Sequence, residues 1–384
     1  MSDTNKTIIL ATGGTGGHIS PAAALAKDLV ARGYDVVFAT DKRGLSFASL
    51  FDPCPHHVIR SGTLGPSLFK KMKGATELSM GFLQSLKLIE KYNPRVVVGF
   101  GGYPSVPTVY AAPRKRITTG IHEQNAVLGR ANVFLAPKAD RIALSMNNVE
   151  GLQEAEIVRT VVTGNPVRED IAALYNKAYP ALEDDGPLRL FVMGGSLGAS
   201  IFADVLAPAL TKLPAAYRAR LDIVQQCREE DLDKVGEIYN AAGIKNRLGR
   251  FFDDVPAILE KSHLVICRSG ASTVSEISAA GRPAIFVPYP HHADQQQKIN
   301  AEYVANAGGA WVMTQEGFTE DAFLARMETF LQNPETLFRC AEAARTCGKP
   351  DATRRLGNLV TALAAGWDKD ARRPYDLTQG REVY

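Results

Sequence analysis

Residues 6–18 read KTIILATGGTGGH and decide the fold. An apolar, β-branched run ends in a glycine-rich turn, and the alanine-rich segment 22–29 follows it. The run is typical of a buried strand, and the segment after the turn is typical of a helix. Apolar strand patterns recur at residues 34–40 and 95–100. Short apolar strands that alternate with helices predict an α/β protein with a buried parallel sheet.

The same pattern starts again in the second half of the chain. Residues 188–193 and 264–267 are apolar runs, and each ends in a glycine-containing turn. A repeat of this size predicts two doubly wound, Rossmann-like domains with a cleft between them. A length of 384 residues agrees with two domains, because a single core seldom grows so large.

The domain boundary is predicted at Gly164, directly before Asn165-Pro166. We therefore expect an N-terminal domain over residues 1–164 and a C-terminal domain over residues 165–350. Residues 351–384 are expected to form a helix that packs back on the N-terminal domain, followed by a polar tail.

Composition argues against several classes of protein. Hydrophobic residues make up 45% of the chain and charged residues 22%, which is typical of a globular protein. The five cysteines form no C-x-x-C pair, so neither a disulfide framework nor a zinc knuckle is predicted, and a reducing cytoplasm fits. No apolar run approaches the ~20 residues of a membrane span, and the start lacks the apolar core of a signal peptide. We expect a protein that is neither secreted nor integral to a membrane.

The net charge of +3 is unevenly distributed. Residues 1–164 carry 19 Lys and Arg against 12 Asp and Glu, a net charge of +7, and the remainder carries −4. This asymmetry favours an anionic partner for the N-terminal half, with chance as the alternative.

The two glycine loops predict phosphate binding. Glycine lets the backbone approach a ligand closely, and the N–H groups of the following helix attract an anion. Neither loop fits G-x-G-x-x-G, and neither carries a Walker lysine. Asp41 ends the second predicted strand, where a dehydrogenase would hold a ribose, so a dinucleotide ligand stays open.

Polar side chains in the N-terminal half are candidates for proton transfer. His18 stands directly before a helix, as a general base or as a residue that only hydrogen-bonds the helix start. The run 122–125, His-Glu-Gln-Asn, follows a predicted strand, as a ligand site or as a polar loop. The second histidine of a zinc-protease motif is absent after His122-Glu123.

The C-terminal half offers carboxylate and amide groups. Ser275-Glu276 lies in a probable first helical turn, where it either caps the helix or accepts the hydroxyls of a ribose. The glutamines at 295–297 are sugar-hydroxyl ligands or a solvated helix face. Asp231-Leu232-Asp233 matches the D-x-D metal motif but lies in a charged run, so no metal site is predicted.

Residues 64–73 combine Leu, Phe and Met with three lysines. Such a mixture favours a weak, reversible contact with anionic lipid. An ordinary amphipathic helix packed on the core is the alternative.

Taken in order, these segments resemble the MurG family, the UDP-GlcNAc transferases that convert lipid I to lipid II in peptidoglycan synthesis. The resemblance runs from the first glycine loop to about residue 305 and implies the GT-B architecture. The matching segments are 13–18 (GGTGGH), 101–105 (GGYPS), 122–125 (HEQN), 164–168 (GNPVR), 194–199 (GGSLGA), 267–271 (CRSGA), 273–276 (TVSE) and 294–297 (DQQQ).

The resemblance implies a set of residues around UDP-GlcNAc. Glu276 should hold the ribose, and Phe252 stands where the family usually has an aliphatic residue whose backbone reads uracil. Position 295 is often arginine in the family and is glutamine here. The implied donor-binding residues are Thr15, Gly16, Gly17, Asn125, Arg168, Ser196, Phe252, Ala271, Ser272, Thr273, Val274, Ser275, Glu276, Gln296 and Gln297.

The resemblance also implies one inverting displacement on GlcNAc by the muramyl 4-hydroxyl of the acceptor. No cofactor and no nucleic acid are implied. His18 is the first candidate for the base, with Glu123 and Asp41 behind it, and Tyr103 would face the acceptor's pyrophosphate. Helix N–H groups near Ser196 and the guanidinium of Arg168 would stabilise the departing UDP.

The implied location is peripheral, on the cytoplasmic side of the bacterial inner membrane, with residues 70–73 on an anionic surface. Three other functions stay open: another GT-B lipid glycosyltransferase, a nucleotide-binding dehydrogenase, and a sugar-nucleotide binding module without catalysis.

Overall fold

The computed structural model describes residues 5–62, 67–183, 185–195, 199–291 and 294–367, with the backbone of two short strands beyond them. The chain divides into two units, residues 1–167 with 351–384, and residues 168–350. The division falls after Val167 rather than after Gly164, where the sequence placed it.

The first unit is built on a seven-stranded sheet in the order β3-β2-β1-β4-β5-β6-β7, with every pair parallel. The strands are β1 (Thr7–Ala11), β2 (Asp35–Thr40), β3 (His56–Val58), β4 (Val96–Gly99), β5 (Thr118–Glu123), β6 (Arg141–Leu144) and β7 (Thr160–Val162). The helices are α1 (Gly16–Ala31), α2 (Leu68–Tyr92), α3 (Ser105–Ala111), α4 (Arg130–Leu135) and α5 (Glu154–Ile157), with 3₁₀ turns at Gly44–Leu50, Ala112–Lys115 and Ala136–Lys138.

The second unit repeats this plan with six parallel strands in the order β10-β9-β8-β11-β12-β13. The strands are β8 (Leu188–Met193), β9 (Leu221–Gln226), β10 (Lys245–Gly249), β11 (Leu264–Cys267), β12 (Ala284–Phe286) and β13 (Ala310–Val312). The helices are α6 (Glu169–Ala172), α7 (Ser200–Thr211), α8 (Ala215–Arg218), α9 (Leu232–Ala241), α10 (Val255–Lys261), α11 (Ala271–Ala280), α12 (Gln296–Ala305), α13 (Glu320–Gln332) and α14 (Glu335–Cys347), with 3₁₀ turns at Ala173–Asn176 and Glu229–Asp231.

Helix α15 (Ala352–Ala364) returns the chain to the first unit, where it packs against α1. The guanidinium of Arg32 donates to Asn358 Oδ1 at 2.6 Å and to the Arg354 carbonyl at 3.2 Å. Gly357 allows this close approach, because a Cβ there would collide with Asp28. The chain continues to the antiparallel strands β14 (Tyr375–Asp376) and β15 (Arg381–Glu382).

Strand β1 shows how the first sheet is buried on both faces. Ile8 and Leu10 pack in one apolar cluster with α1 and α15, and Ile9 and Ala11 pack in a second cluster with α2 and α3. Two buried faces explain why the strand is uniformly apolar. The two parallel sheets confirm the predicted pair of Rossmann-like domains.

In each unit the strand order changes direction at the first strand: the next two strands are added on one side of it, and the later strands are added on the other side. The neighbours of β1 are β2 and β4, and the neighbours of β8 are β9 and β11. The carboxyl ends at such a reversal form the usual ligand crevice of an open α/β sheet. Among the described helices, none is long and apolar enough to cross a membrane.

Candidate active site

The carboxyl ends of three strands of the first unit converge on Gly13. A Cβ on Gly13 would lie 2.8 Å from Asp41 Oδ1 and 2.9 Å from Pro104 Cβ, so only glycine fits there. Asp41 Oδ1 accepts hydrogen bonds from the backbone N–H groups of Gly14 (3.2 Å) and Gly44 (3.0 Å), and Arg43 Nε lies 2.8 Å from Oδ2. The Asp41 carboxylate therefore holds the loop together, and both of its oxygens are engaged.

His18 lies in the first turn of α1. It is half-buried between the glycine-rich turn after β1 (residues 13–17) and the glycine turn after β4 (residues 101–102). Thr15 Oγ1 lies 3.2 Å from His18 Nδ1, and a Cβ on Gly101 would come within 3.4 Å of His18 Nε2. Burial lowers the pKa of His18, a hydrogen bond to the Gly13 backbone opposes this, and the charge of Arg43 lowers it further. The imidazole is therefore neutral at pH 7, the form that accepts a proton.

The remaining predicted residues of this region line the same loops. Thr15 and Gly17 are exposed, and Gly16 is partly exposed at the start of α1. Tyr103 is half-buried in the turn before α3, directly after Gly102, whose φ of +70° requires glycine.

His122 is completely buried at the end of β5. Its Nε2–H donates to the Gly164 carbonyl at 3.0 Å, and its Nδ1 accepts from Gln124 Nε2 at 2.9 Å. Burial lowers the pKa of His122 to about 4, so the ring is neutral. The ring links the end of β5 to the segment after β7. Both of its nitrogens are hydrogen-bonded, so neither is available for proton transfer.

Glu123 is a buried carboxylate with four hydrogen-bond donors. Oε1 accepts from the backbone N–H (3.0 Å) and Nδ2 (3.1 Å) of Asn125, and Oε2 accepts from Gly129 N (2.9 Å) and Asn132 Nδ2 (2.8 Å). Burial raises its pKa, and these four donors oppose the rise. Glu123 thus shapes the loop between β5 and α4, in which Asn125 remains partly exposed.

In the second unit, Arg168 and Glu276 form the charged pair of the site. Arg168 Nε lies 3.6 Å from Glu276 Oε1. Burial raises the pKa of Glu276, the positive charge of Arg168 opposes this, and the negative charge of Asp170 adds to it. The carboxylate lies in the second turn of α11, which starts at Ala271 after Gly270.

The first five residues of α11 are the other predicted residues of this helix. Ala271, Ser272, Thr273 and Ser275 are partly exposed, and the hydroxyl oxygen of Ser272 is buried without a hydrogen-bond partner among the described residues. Val274 instead points into the core with 2% exposure, so only its backbone is available to a ligand.

The glutamines at the start of α12 differ in their contacts. Gln297 Oε1 accepts from Ser269 N (3.3 Å) and Tyr289 N (3.0 Å), so its amide oxygen joins the loops after β11 and β12. Gln296 is the first residue of α12 and is partly exposed.

Phe252 follows β10, with its ring against Phe191 (centroids 6.2 Å apart) and below the guanidinium of Arg247 (4.9 Å). This packing leaves its backbone as the part that can recognise a base. Asp231 of the D-x-D motif is paired with Arg228, whose Nε lies 2.8 Å from Oδ2. Ser196 lies outside the described residues.

Two further residues organise this unit: Gln226, which lies in none of the predicted motifs, and Arg268, which lies in the matching segment 267–271 but had no role assigned. Gln226, the last residue of β9, contacts the backbones of Gly194, Gly195 and Arg250. Arg268 donates to the carbonyls of Val287 (2.9 Å) and Pro288 (3.1 Å) and to Gln315 Oε1 (2.6 Å). The position of each at the carboxyl end of a parallel strand was the signal that could have identified them.

Known proteins match the chain over nearly its whole length. The N-terminal domain of glycosyltransferase family 28 matches residues 8–144, and the C-terminal domain of that family matches residues 189–356. The chain is 48% identical to the UDP-N-acetylglucosamine–N-acetylmuramyl-(pentapeptide) pyrophosphoryl-undecaprenol N-acetylglucosamine transferase of Rhodospirillum centenum, over 93% of this chain and 94% of the relative. It is 46% identical to the transferase of the same name from Rhodospirillum rubrum, over 93% of this chain and 92% of that protein.

Solved structures agree with this match. The crystal structure of Acinetobacter baumannii MurG superposes with a TM-score of 0.77 at 29% identity, covering 93% of this chain and 99% of that one. A UDP-GlcNAc 2-epimerase from Neisseria meningitidis superposes with a TM-score of 0.64 at 14% identity, covering 94% of this chain and 100% of that one. The second likeness concerns the fold alone.

Proposed function

The chain belongs to glycosyltransferase family 28, and on that premise we propose that it transfers GlcNAc from UDP-GlcNAc to the muramyl 4-hydroxyl of undecaprenyl-pyrophosphoryl-MurNAc-pentapeptide. The reaction converts lipid I to lipid II in peptidoglycan synthesis, on which cell shape and cell division depend. The observation that carries this conclusion is the 48% identity with a transferase of that name along nearly the full length of both chains.

The second unit binds the donor in this proposal. Glu276 accepts the ribose hydroxyls, Arg168 faces the diphosphate, and the backbone at Phe252 reads the uracil. Two features support these roles: Glu276 and Arg168 are 3.6 Å apart, and the Phe252 ring is already packed against Phe191. The glycine loop beyond Gly194, whose own N–H donates to Gln226 Oε1, supplies backbone N–H groups for the phosphates.

The first unit binds the acceptor, and His18 takes the proton from its attacking hydroxyl. Asp41 and Glu123, the other two candidates, have both carboxylate oxygens engaged with loop backbone and side chains. The imidazole of His18 is neutral, the form that accepts a proton, and lies half-buried at the start of α1, which supports it as the base. Arg168 and helix N–H groups stabilise the charge that develops on UDP.

A group of rings and cations, in which Phe134, Arg114 and Lys138 are exposed and the other two rings are half-buried, supports a peripheral membrane contact by the first unit. We define the aromatic–basic patch as Phe82, Tyr110, Arg114, Phe134 and Lys138. The Arg114 guanidinium lies 5.2 Å from the Phe82 ring and 5.0 Å from the Tyr110 ring, and Lys138 Nζ lies 5.4 Å from Tyr110. Phe134 stacks on Tyr110 and is 52% exposed.

Exposed Leu83, Met72 and two lysines on α2, Lys71 and Lys73, extend the apolar and basic character of this unit. Apolar rings and cations side by side suit the interface of an anionic bilayer. The proposed location is the cytoplasmic side of the bacterial inner membrane. Residues 64–66 of the predicted membrane segment 64–73, and the side chains of Leu68, Phe69 and Lys70, lie outside the described parts.

The decisive experiment measures UDP release with and without lipid I. Release that requires both UDP-GlcNAc and lipid I, with lipid II as the product, is the expected result. Absence of UDP release with lipid I would overturn the proposal. UDP release with diacylglycerol instead would favour the rival lipid glycosyltransferase. A pelleting assay with phosphatidylglycerol vesicles tests the membrane contact, which requires wild-type protein to sediment more than an Arg114→Glu/Phe134→Ser variant.

A further inference from the structure

Two adjacent glutamines end strand β9 and face opposite ways. The side chain of Gln225 is buried in the core, where its Oε1 accepts a hydrogen bond from Tyr239 Oη at 2.7 Å. The side chain of Gln226 instead reaches the loops at the carboxyl end of the sheet. This alternation follows from the two-residue period of a strand.

Gln226 uses both ends of its amide on two separate loops. Its Oε1 accepts from Gly194 N at 3.0 Å, and its Nε2 donates to the Gly195 carbonyl at 3.1 Å. The same Nε2 donates to the Arg250 carbonyl at 3.0 Å. One side chain therefore joins the glycine loop after β8 to the loop after β10.

We propose that Gln226 is a positioning residue that couples these two loops, so that the diphosphate and the base of the nucleotide are bound as one unit. The inference rests on the proposed function, in which the glycine loop meets the phosphates and the backbone after Arg250 reads uracil. Gln226 itself touches neither part of the nucleotide; it acts through the backbones that do.

The physical reason is preorganisation. Gly195 has a φ of +81°, a conformation that glycine adopts freely and also leaves freely. A loop that is ordered only when ligand arrives weakens binding by the cost of that ordering. The Gln226 amide holds both loops in the free protein. A ligand that contacts one loop therefore finds the other loop already ordered.

The test uses the full-length protein and compares Kd values for UDP, uridine and CDP in wild type and in Gln226→Ala. The ratio of UDP affinity to uridine affinity measures the contribution of the diphosphate, and therefore reports on the glycine loop. The ratio of UDP affinity to CDP affinity measures discrimination between the bases, and therefore reports on the loop after β10. Both ratios are expected to fall at least fivefold in Gln226→Ala, with a 10- to 100-fold loss of UDP affinity, because both loops would then have to be ordered by the ligand as it binds. A fall in only one ratio, or in neither, would overturn the coupling.

A second variant, Gln226→Glu, keeps an acceptor for Gly194 N but cannot donate to the two carbonyls, so both ratios should fall in it as well. It replaces Gln226→Ala as the test if the alanine variant does not fold. The matched control is Gln225→Ala, which loses the Tyr239 bond in the core and should lower the Tm while leaving both ratios within twofold of wild type. Reduced ratios in Gln225→Ala would mean that general loosening, not positioning, is the cause.

The two proposals can fail separately. Wild-type protein that does not bind UDP would overturn the proposed function. Wild-type protein that binds UDP, with unchanged ratios in both Gln226 variants, would overturn only the coupling.

Discussion

Arg168 Nε lies 3.6 Å from Glu276 Oε1, so the cation that we assign to the phosphates faces the carboxylate that we assign to the ribose. In the free protein the two groups neutralise each other. Donor binding offers each group a new partner: hydroxyls for Glu276 and phosphate oxygens for Arg168. Removing Arg168 should therefore affect the two halves of the nucleotide differently.

We predict that Arg168→Ala weakens UDP binding at least tenfold and changes uridine binding less than threefold. A charge-assisted hydrogen bond to phosphate contributes about 1.5–3 kcal/mol, whereas uridine has no phosphate to lose. Isothermal titration calorimetry with both ligands measures this. Arg326→Ala, on α13, is the control and should bind both ligands as wild type does; an equal loss of both ligands in Arg168→Ala would contradict the prediction.

His18→Ala should lower kcat at least 100-fold, because general base catalysis contributes factors of about 10²–10⁴. The Kd for UDP should stay within threefold. The control is His56→Ala, whose exposed side chain lies on β3. Retention of more than a tenth of the wild-type kcat would exclude His18 as the base.

The pH dependence of the wild-type rate follows from the lowered pKa of His18. The base must be neutral, so the rate should be flat near neutrality and fall only below about pH 6.5, the ordinary pKa of histidine. Measurement of kcat/KM from pH 5 to 8 checks this limb. An acid limb centred above pH 7 would require a different base.

Glu123→Gln should destabilise the protein by about 2–5 kcal/mol, because the amide NH₂ would face donors that the carboxylate now accepts, and buried unpaired donors cost about 1–3 kcal/mol each. Urea denaturation measures the loss. The pH–rate profile of the remaining folded enzyme should keep its shape. A lost limb in that profile would instead identify Glu123 as the base.

Gly13→Ala should destabilise the first unit by about 1–3 kcal/mol, since the new Cβ would be 2.8 Å from Asp41 Oδ1 and 2.9 Å from Pro104 Cβ. Gly16→Ala is the matched control three residues away, where a Cβ meets Phe47 at an ordinary 3.5 Å. Thermal unfolding of the two variants should differ clearly. Equal Tm values would show that the loop relaxes around the added methyl group.

Acid should destabilise the first unit through His122, whose pKa burial lowers to about 4. The unfolded chain binds a proton near pH 6.5, so the stability from this residue is complete above pH 6.5 and is lost as the pH falls toward 4. The loss amounts to ~3 kcal/mol. Urea midpoints of wild type, His122→Gln and the control His56→Gln across this range measure it, and an undiminished slope in His122→Gln would contradict the assignment.

The strands and their loops could be predicted because their signals are local. Apolar β-branched runs that end in glycine at Gly13 and Gly194 identify a buried strand and its ligand-side turn without knowledge of any partner. The roles within the loops depend on contacts that the sequence does not display. Asp41 was a candidate base, but its partner Arg43 is set by the path of the turn between them.

Gln226 is the clearest example of a contact that could not be predicted from the sequence. It contacts Gly194 only because β8 and β9 are neighbours in a register that pairs Val192 with Gln225. That register is a property of the assembled sheet. The position of Gln226 at the carboxyl end of a strand marks it as a site residue but does not identify Gly194, 32 positions away, as its partner. Val274 is a simpler case: the helix phase of α11 turns its side chain into the core, although the predicted motif includes it.

Because helix α15 belongs to the first unit, all residues of the first unit are available only after those of the second unit have been synthesised. The second unit is one continuous segment, whereas the first lacks α15, which covers Ile8 and Leu10 together with α1, until residues 352–364 have been made. A nascent chain therefore has every residue of the second unit before it can close the first. Until the ribosome has released that helix, the face of the amino-terminal sheet that carries Ile8 and Leu10 is only partly covered.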